Sequence, residues 1–130
     1  MNNELLNTFN NIFSQMNKKS LETSPCRIDS ESFITKLKNK ENIITLDIRT
    51  IEELEFTRFV YGEVLNISMD KLFIEENIVK LDKNKEIIIL CHTGIRAIAV
   101  ATILISLGFK ATALKGGWAE FSNYLSPKTV

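Results

Sequence analysis

The chain has 130 residues, of which 45% are apolar and 25% charged, a composition typical of a soluble globular domain with one hydrophobic core. Sixteen basic residues balance sixteen acidic ones, which argues against nucleic acid or an anionic membrane as a partner. No apolar run reaches the roughly 18 residues that span a bilayer, and the N-terminal segment does not have the pattern of a signal peptide. We therefore expect a cytoplasmic protein.

The two cysteines, Cys26 and Cys91, are too few for a disulfide framework, which favours a reducing compartment. A bond between them stays open at this point, as does a role for Cys26 as a resolving thiol, although its distance from Cys91 in sequence favours coincidence. The single histidine, His92, leaves no plausible set of zinc ligands, and glycine-rich phosphate-binding motifs are absent. The sequence predicts no metal and no organic cofactor.

Residues 1–25 predict an N-terminal helical extension and linker, ahead of a domain over residues 26–130. Apolar side chains recur at helical spacing from Leu5 to Met16, so we predict an amphipathic helix over residues 3–18. This helix has two interpretations. It packs on its own domain, or it contacts a partner and makes the protein a homodimer.

The domain alternates strand and helix patterns. Before residue 82, the predicted elements are strands at residues 26–28, 43–47 and 64–67, a helix through residues 32–37 capped by Asp29 or Ser30, and a helix at residues 69–81. After it, they are strands at residues 86–90 and 111–114, a helix that ends at Gly108, and a last helix that follows Gly116 and Gly117 and ends near Pro127. Such alternation predicts an α/β three-layer sandwich, with a small, mostly parallel sheet flanked by helices.

Cys91 follows the most uniformly aliphatic of these strands and precedes a helix. At this position a thiol faces the amides of a turn and the positive end of a helix dipole, which favour the nucleophilic thiolate. A buried cysteine is more often a small packing residue. The spacing Cys-x-x-Gly-x-Arg, formed with Gly94 and Arg96, and the carboxylate of Asp47 at the end of another strand favour a functional site at this sheet edge.

Three segments, in this order, resemble those of single-domain rhodaneses, a family of sulfurtransferases. Leu46-Asp47-Ile48-Arg49 is similar to an Asp-x-Arg that ends an early strand, and Cys91-His92-Thr93-Gly94-Ile95-Arg96 resembles the active-site loop. Leu114-Lys115-Gly116-Gly117-Trp118 resembles the turn before the last helix. The likeness spans about residues 26–125. Within it, residues 58–66 depart from the family's Gly-His-Ile-x-Gly-Ala-x-Asn stretch and keep only Gly62 and Asn66.

The resemblance implies sulfur transfer from thiosulfate or a persulfide, through a persulfide on Cys91, to cyanide or a thiol acceptor, which includes a thiol on another protein. It implies a cysteine nucleophile and no cofactor. It also implies that the position of His92 tunes substrate choice, so we interpret His92 as substrate-facing, with acid–base catalysis as the alternative.

The backbone amides of residues 92–96 are expected to converge on the Cys91 sulfur as an anion-binding nest, with Gly94 allowing the curl. Besides His92, the expected substrate-binding residues are Thr93, through its hydroxyl, Gly94, Ile95 and Arg96. Arg96 either extends the positive field or braces the loop; we expect bracing, with Asp47 as its partner. Arg49 is expected to pair with Glu52 or Glu53 and to support the adjacent turn.

Two other functions compete with sulfur transfer. Phosphatases that share this fold have one more residue between cysteine and arginine than the four between Cys91 and Arg96, and the shorter loop suits one sulfur atom better than a phosphoryl group. A rhodanese-like interaction module or sulfur carrier is the second alternative. The reactivity of the Cys91 thiol distinguishes a sulfur carrier, which needs a reactive thiol, from a domain that only binds a partner.

Overall fold

One five-stranded parallel sheet organises the computed structural model, which describes residues 1–14 and 27–125. Its strands are β1 (Arg27–Ile28), β2 (Ile43–Asp47), β3 (Val64–Asn66), β4 (Glu86–Leu90) and β5 (Lys110–Leu114). They lie in the order β1-β5-β4-β2-β3, and every neighbouring pair runs parallel. The aliphatic strand β4 therefore lies at the centre of the sheet.

Within the described residues, six helices and one 3₁₀ turn connect or flank the strands. They are α1 (Asn3–Phe13), α2 (Ser30–Lys38), α3 (Ile51–Phe56), the 3₁₀ turn Met69–Lys71, α4 (Glu75–Ile78), α5 (Ile95–Ser106) and α6 (Gly117–Tyr124). Within residues 1–14 and 27–125, no helix combines the length and hydropathy needed to cross a membrane.

Side-chain alternation along β4 divides the core into two layers. Ile87 and Ile89 pack on the α5 side of the sheet, with Val100 and Leu104 of that helix. Ile88 and Leu90 point to the opposite side, where an aromatic cluster of Phe33, Phe59 and Phe121 covers the sheet. Because successive side chains of a strand point to opposite faces, one aliphatic run fills both layers. The predicted three-layer α/β sandwich is confirmed.

The segment at residues 58–66, which departs from the family pattern, is anchored by an aromatic side chain. Phe59 is 4% exposed, and its ring centroid lies 5.9 Å from that of Phe33 and 5.4 Å from that of Phe121. Gly62 has a φ of 76°, a backbone conformation that glycine adopts without strain. Aromatic packing thus holds this connection in place.

The predicted helix over residues 69–81 is wrong. The segment forms the 3₁₀ turn and the single turn of α4, and the side-chain amide of Asn77 donates to the carbonyl of Lys71 at 2.8 Å. A continuous helix would bring Glu75 and Glu76 to the same face as the fully buried Leu72. The chain breaks the helix and keeps both carboxylates exposed.

The N-terminal helix is present but ends earlier than predicted among the described residues. Helix α1 begins with Asn2 as its cap and ends at Phe13, with Ser14 as the C-cap. It lies close to α5 and has no buried residue of its own. Residues 15–18 of the predicted helix, the linker and Cys26 lie outside the described residues.

Candidate active site

Cys91 lies directly after β4, at the carboxyl edge of the sheet. Leu90 is in register with Asp47, and the amide of Ile48 donates to the carbonyl of Leu90 at 2.9 Å, so β2 and β4 end side by side. Cys91 is a free cysteine and is fully buried. Asp47 and Cys91 therefore lie at the ends of two neighbouring strands of the sheet.

The loop after Cys91 folds back over the sulfur. The amide of Gly94 donates to Cys91 Sγ at 3.0 Å. Gly94 has a φ of 95° and is the N-cap of α5, so the sulfur lies near the positive end of that helix. An amide hydrogen bond to sulfur stabilises an anion there more than a neutral thiol. The sulfur therefore accepts a backbone hydrogen bond at the start of α5.

The first turn of α6 holds the other side of the loop. The amide of Trp118 donates to the carbonyl of Cys91 at 2.8 Å, and that of Ala119 donates to the carbonyl of His92 at 2.9 Å. Since a trans peptide places its C=O and N–H on opposite sides, the amides of His92 and Thr93 point away from α6. The helix thereby orients the loop amides through the loop carbonyls.

Gly117 makes this contact possible. A Cβ atom on Gly117 would lie 2.4 Å from the carbonyl oxygen of Cys91 and 2.6 Å from that of His92. Its φ of 58° is also unfavourable for other residues. Sequence reasoning recognised the Gly116-Gly117 turn but gave it no role in the site. The pair of adjacent glycines before a helix is the signal that could have indicated a close backbone approach.

Asp47 and Arg49 form a buried ion pair with each other. Arg49 Nε lies 3.0 Å from Asp47 Oδ1 and Nη2 lies 2.8 Å from Oδ2, and both side chains are at most 1% exposed. Arg49 Nη1 also donates to Thr57 Oγ1 at 3.0 Å, and the guanidinium lies 4.8 Å from the centroid of the Trp118 ring. The pair therefore joins the end of β2 to the helix that holds the loop.

The predicted partners of both arginines are wrong. Arg49 pairs with Asp47 and not with Glu52 or Glu53. Asp47 is only two residues away, and its carboxylate accepts from both the backbone amide and the side chain of Arg49. Arg96 pairs with Glu53, whose two carboxylate oxygens accept from Nη1 and Nη2 at 3.0 Å each. Asp47 is already occupied, so the bracing of Arg96 comes from α3.

Glu53 is itself held by the start of α3. Its Oε1 accepts from the amide of Thr50 at 3.0 Å, while Thr50 Oγ1 accepts from the amide of Glu53 at 3.2 Å. The hydrogen bonds from Arg96 lower the pKa of Glu53 to about 2, and the same contacts raise the pKa of Arg96. The sequence prediction lacked α3, although Thr50-x-x-Glu53 is a capping box that could have revealed it.

The remaining predicted site residues lie at the surface of the loop. His92, Thr93 and Ile95 are exposed, and Ile95 is 75% exposed. Beside them, a cleft of about 590 Å³, which we call the Arg96 cleft, is lined by Ile48, residues 50–52, residues 68–71 and Arg96. The cleft reaches the cysteine loop at Arg96, and Ile48, which directly follows β2, also lines it.

A parallel sheet with a free cysteine wrapped by an amide-donating loop at its carboxyl edge defines an α/β protein with a sulfur-centred candidate site. The rhodanese-like domain family matches residues 30–124, and the chain belongs to that family.

Relatives of this chain carry names from sulfur chemistry. The Bacillus subtilis (strain 168) protein named "Putative sulfurtransferase YtwF" is 28% identical over 101 residues, which are 78% of this chain and 94% of that protein. The crystal structure of a rhodanese-like domain protein from Staphylococcus aureus is 25% identical, with a TM-score of 0.65, and the match covers 74% of this chain and 90% of that one. An NAD-dependent persulfide reductase from A. fulgidus is 28% identical, with a TM-score of 0.60; the match covers 79% of this chain but 17% of that longer one.

Proposed function

We propose that this protein is a sulfurtransferase, which moves a sulfane sulfur from thiosulfate or a persulfide donor to cyanide or a thiol through a persulfide on Cys91. The observation that carries the proposal is the 3.0 Å hydrogen bond from the amide of Gly94 to Cys91 Sγ. This contact supports Cys91 as the reacting residue, because the loop donates a backbone hydrogen bond to its sulfur. Membership of the rhodanese-like family supports the same chemistry.

The first step forms one S–S bond and breaks another. The Cys91 thiolate attacks the outer sulfur of the donor, and the bond between that sulfur and the rest of the donor breaks. Thiosulfate releases sulfite, while a persulfide releases its thiolate. Cys91 then carries a persulfide, whose negative charge the Gly94 amide and the start of α5 stabilise.

The second step restores the enzyme. The acceptor attacks the terminal sulfur of the persulfide, cyanide leaves as thiocyanate, and a thiol acceptor leaves as a new persulfide. Cys91 returns as a thiolate. Each step transfers one sulfur atom and needs no external oxidant, so the reaction is covalent ping-pong catalysis.

The loop residues have separate roles in this proposal. The amides of residues 92–96 line the path of the transferred sulfur, and His92 and Thr93 face the donor from the exposed side of the loop. Arg96 keeps the loop in shape through Glu53, and Asp47 and Arg49 support it from below. A thiolate nucleophile and a thiol acceptor are compatible with the reducing cytoplasm that we expect.

The test is the intact mass of the protein after incubation with thiosulfate or with cysteine persulfide, and again after cyanide. Wild type is expected to gain one sulfur atom, which cyanide removes, and Cys91→Ser is expected to gain none. Cys26→Ser, the matched control for the second cysteine, should behave as wild type. A wild-type protein that gains no sulfur from either donor contradicts the proposal.

A further inference from the structure

We infer that the physiological sulfur donor is the persulfide of a thiol with an apolar body and at most one negative charge, held in the Arg96 cleft, and that the dianion thiosulfate is a poor donor. This inference rests on the proposed function and names the substrate class of the same site.

The size of the Arg96 cleft is the first observation. Its volume of about 590 Å³ lies in the range of pockets that hold drug-sized molecules, about 300–1,000 Å³. A small sulfur oxyanion would leave most of this space to water. The cleft instead suits a donor whose terminal sulfur enters the cysteine loop while its carbon body stays outside.

The charges around the cleft are the second observation. Two cations, Lys71 and Arg96, line it, but so do the carboxylates of Glu52 and Asp70. The charge of Arg96 is already paired with Glu53, through two hydrogen bonds of 3.0 Å. The loop itself has no lysine or arginine between Cys91 and Arg96. The amides of the loop thus stabilise one negative charge at the sulfur. Among the described residues that line the cleft, each of the two cations has a carboxylate beside it, so neither is free to offset a second negative charge.

Exposed apolar side chains in and beside the cleft are the third observation. Ile51, the first residue of α3, lines the cleft and is 60% exposed, and Met69 also lines it and is 38% exposed. Ile95, in the loop itself, is 75% exposed. Exposed aliphatic and thioether groups around a cleft gain free energy by covering apolar ligand surface, and methionine adapts to varied shapes. These groups contribute nothing to the binding of a sulfur oxyanion.

The experiment compares kcat/KM for two donors, thiosulfate and benzyl hydrodisulfide (the persulfide of benzyl thiol), with cyanide as the common acceptor. Wild type is expected to use the benzyl persulfide at least tenfold better than thiosulfate. Ile51→Ser and Met69→Ser are each expected to raise KM for the benzyl persulfide by about fivefold. The two variants should change kcat/KM for thiosulfate less than kcat/KM for the benzyl persulfide, and Val79→Ser, at an aliphatic position exposed outside the cleft, is the matched control and should leave the kinetics with both donors unchanged.

A charge variant tests the other half of the inference. Removal of both cleft carboxylates, in Glu52→Gln/Asp70→Asn, is expected to raise kcat/KM for thiosulfate by about fivefold at low salt and less at high salt. Glu76→Gln, an exposed acid outside the cleft, is the control. The inference is overturned if wild type prefers thiosulfate, or if the Ile51 and Met69 variants match Val79→Ser. If neither donor places sulfur on Cys91, the proposed function itself has failed.

Discussion

Arg96 and Glu53 face each other in parallel, with Nη1 to Oε1 and Nη2 to Oε2 both at 3.0 Å. The two residues lie 43 positions apart in sequence. Arg96 belongs to the first turn of the helix after the cysteine loop, and Glu53 to the capping box of α3. This contact therefore links the conformation of the cysteine loop to the position of the short helix α3.

Glu53→Gln is expected to lower kcat/KM for sulfur transfer by about tenfold, because a planar arginine loses its bidentate carboxylate and the loop gains freedom. The measurement is steady-state sulfur transfer to cyanide, together with the yield of the Cys91 persulfide. Glu55→Gln changes an exposed acid of the same helix and is the matched control. Equal activity of both variants and wild type would show that the contact does not hold the loop.

Acid is expected to remove the same contact. Arg96 holds the pKa of Glu53 at about 2 in the folded protein, below the ordinary value of 4.5. Since the folded pKa is depressed, the stabilisation is present above pH 4.5 and is lost as the pH falls from about 4.5 to 2. The difference in the free energy of unfolding between wild type and Glu53→Gln should be about 1 kcal/mol near pH 7, allowing for partial exposure, and should shrink in acid.

Urea unfolding of both proteins between pH 7 and pH 3 measures this difference. Because the carboxylate stays ionised, the difference should be constant between pH 7 and pH 5. A difference that grows on acidification has the wrong sign and would contradict the assignment of the low pKa to this pair.

Gly117→Ala is expected to damage the site through the backbone. The added Cβ would lie 2.4 Å from the carbonyl of Cys91, so the loop or the start of α6 must move. We expect a loss of at least about 2 kcal/mol in the free energy of unfolding and a loss of persulfide formation. Circular dichroism during thermal unfolding and the intact-mass assay measure the two effects.

Gly108→Ala is the control for that variant. Gly108 also has a positive φ, of 93°, but its added Cβ would meet only the end of the Lys83 side chain, at 3.6 Å. Gly108→Ala should lower the free energy of unfolding by about 1 kcal/mol, the cost of a positive φ for alanine, and should keep the activity. If both variants lost activity equally, the close approach of α6 to the loop would not be the cause.

Asp47→Ala is expected to destabilise the protein by about 3–5 kcal/mol, since it leaves the Arg49 guanidinium buried and unpaired. Both side chains are at most 1% exposed, so water cannot replace the carboxylate without a rearrangement. Chemical denaturation measures the loss. The double variant Asp47→Leu/Arg49→Met removes both charges and should lose much less, and equal losses in the two proteins would argue against a desolvated charge as the cause.

Much of the fold follows from short-range patterns in the chain. The strand over residues 43–47 and the strand over residues 86–90 are confirmed at their predicted boundaries, because strands covered on both faces are rich in aliphatic residues. The cap at Asp29 is confirmed by the hydrogen bond from the amide of Ser32 to its carboxylate at 2.7 Å. Helix α3 and the break at residues 69–81 were missed, since short elements give little periodicity.

The approach of Asp47 and Cys91 at one edge of the sheet was predictable from sheet topology. Parallel strands bring their carboxyl ends to one edge, so Asp47 and Cys91 had to meet once β2 and β4 paired. The glycine at position 94 predicted a curled loop, and the amide contact to the sulfur agrees with it. These features depend on residues that are close in sequence or on a rule of sheet topology.

Residue types and spacing in the sequence determined the α/β class, the central strand and the cysteine loop. Only the tertiary structure decided that Asp47 binds Arg49, that Arg96 binds Glu53, and that Gly117 lies against the carbonyls of Cys91 and His92. Several carboxylates lie within plausible reach of each arginine in sequence, and their charges are identical. The choice among them depends on distances and directions that exist only after the helices have packed on the sheet.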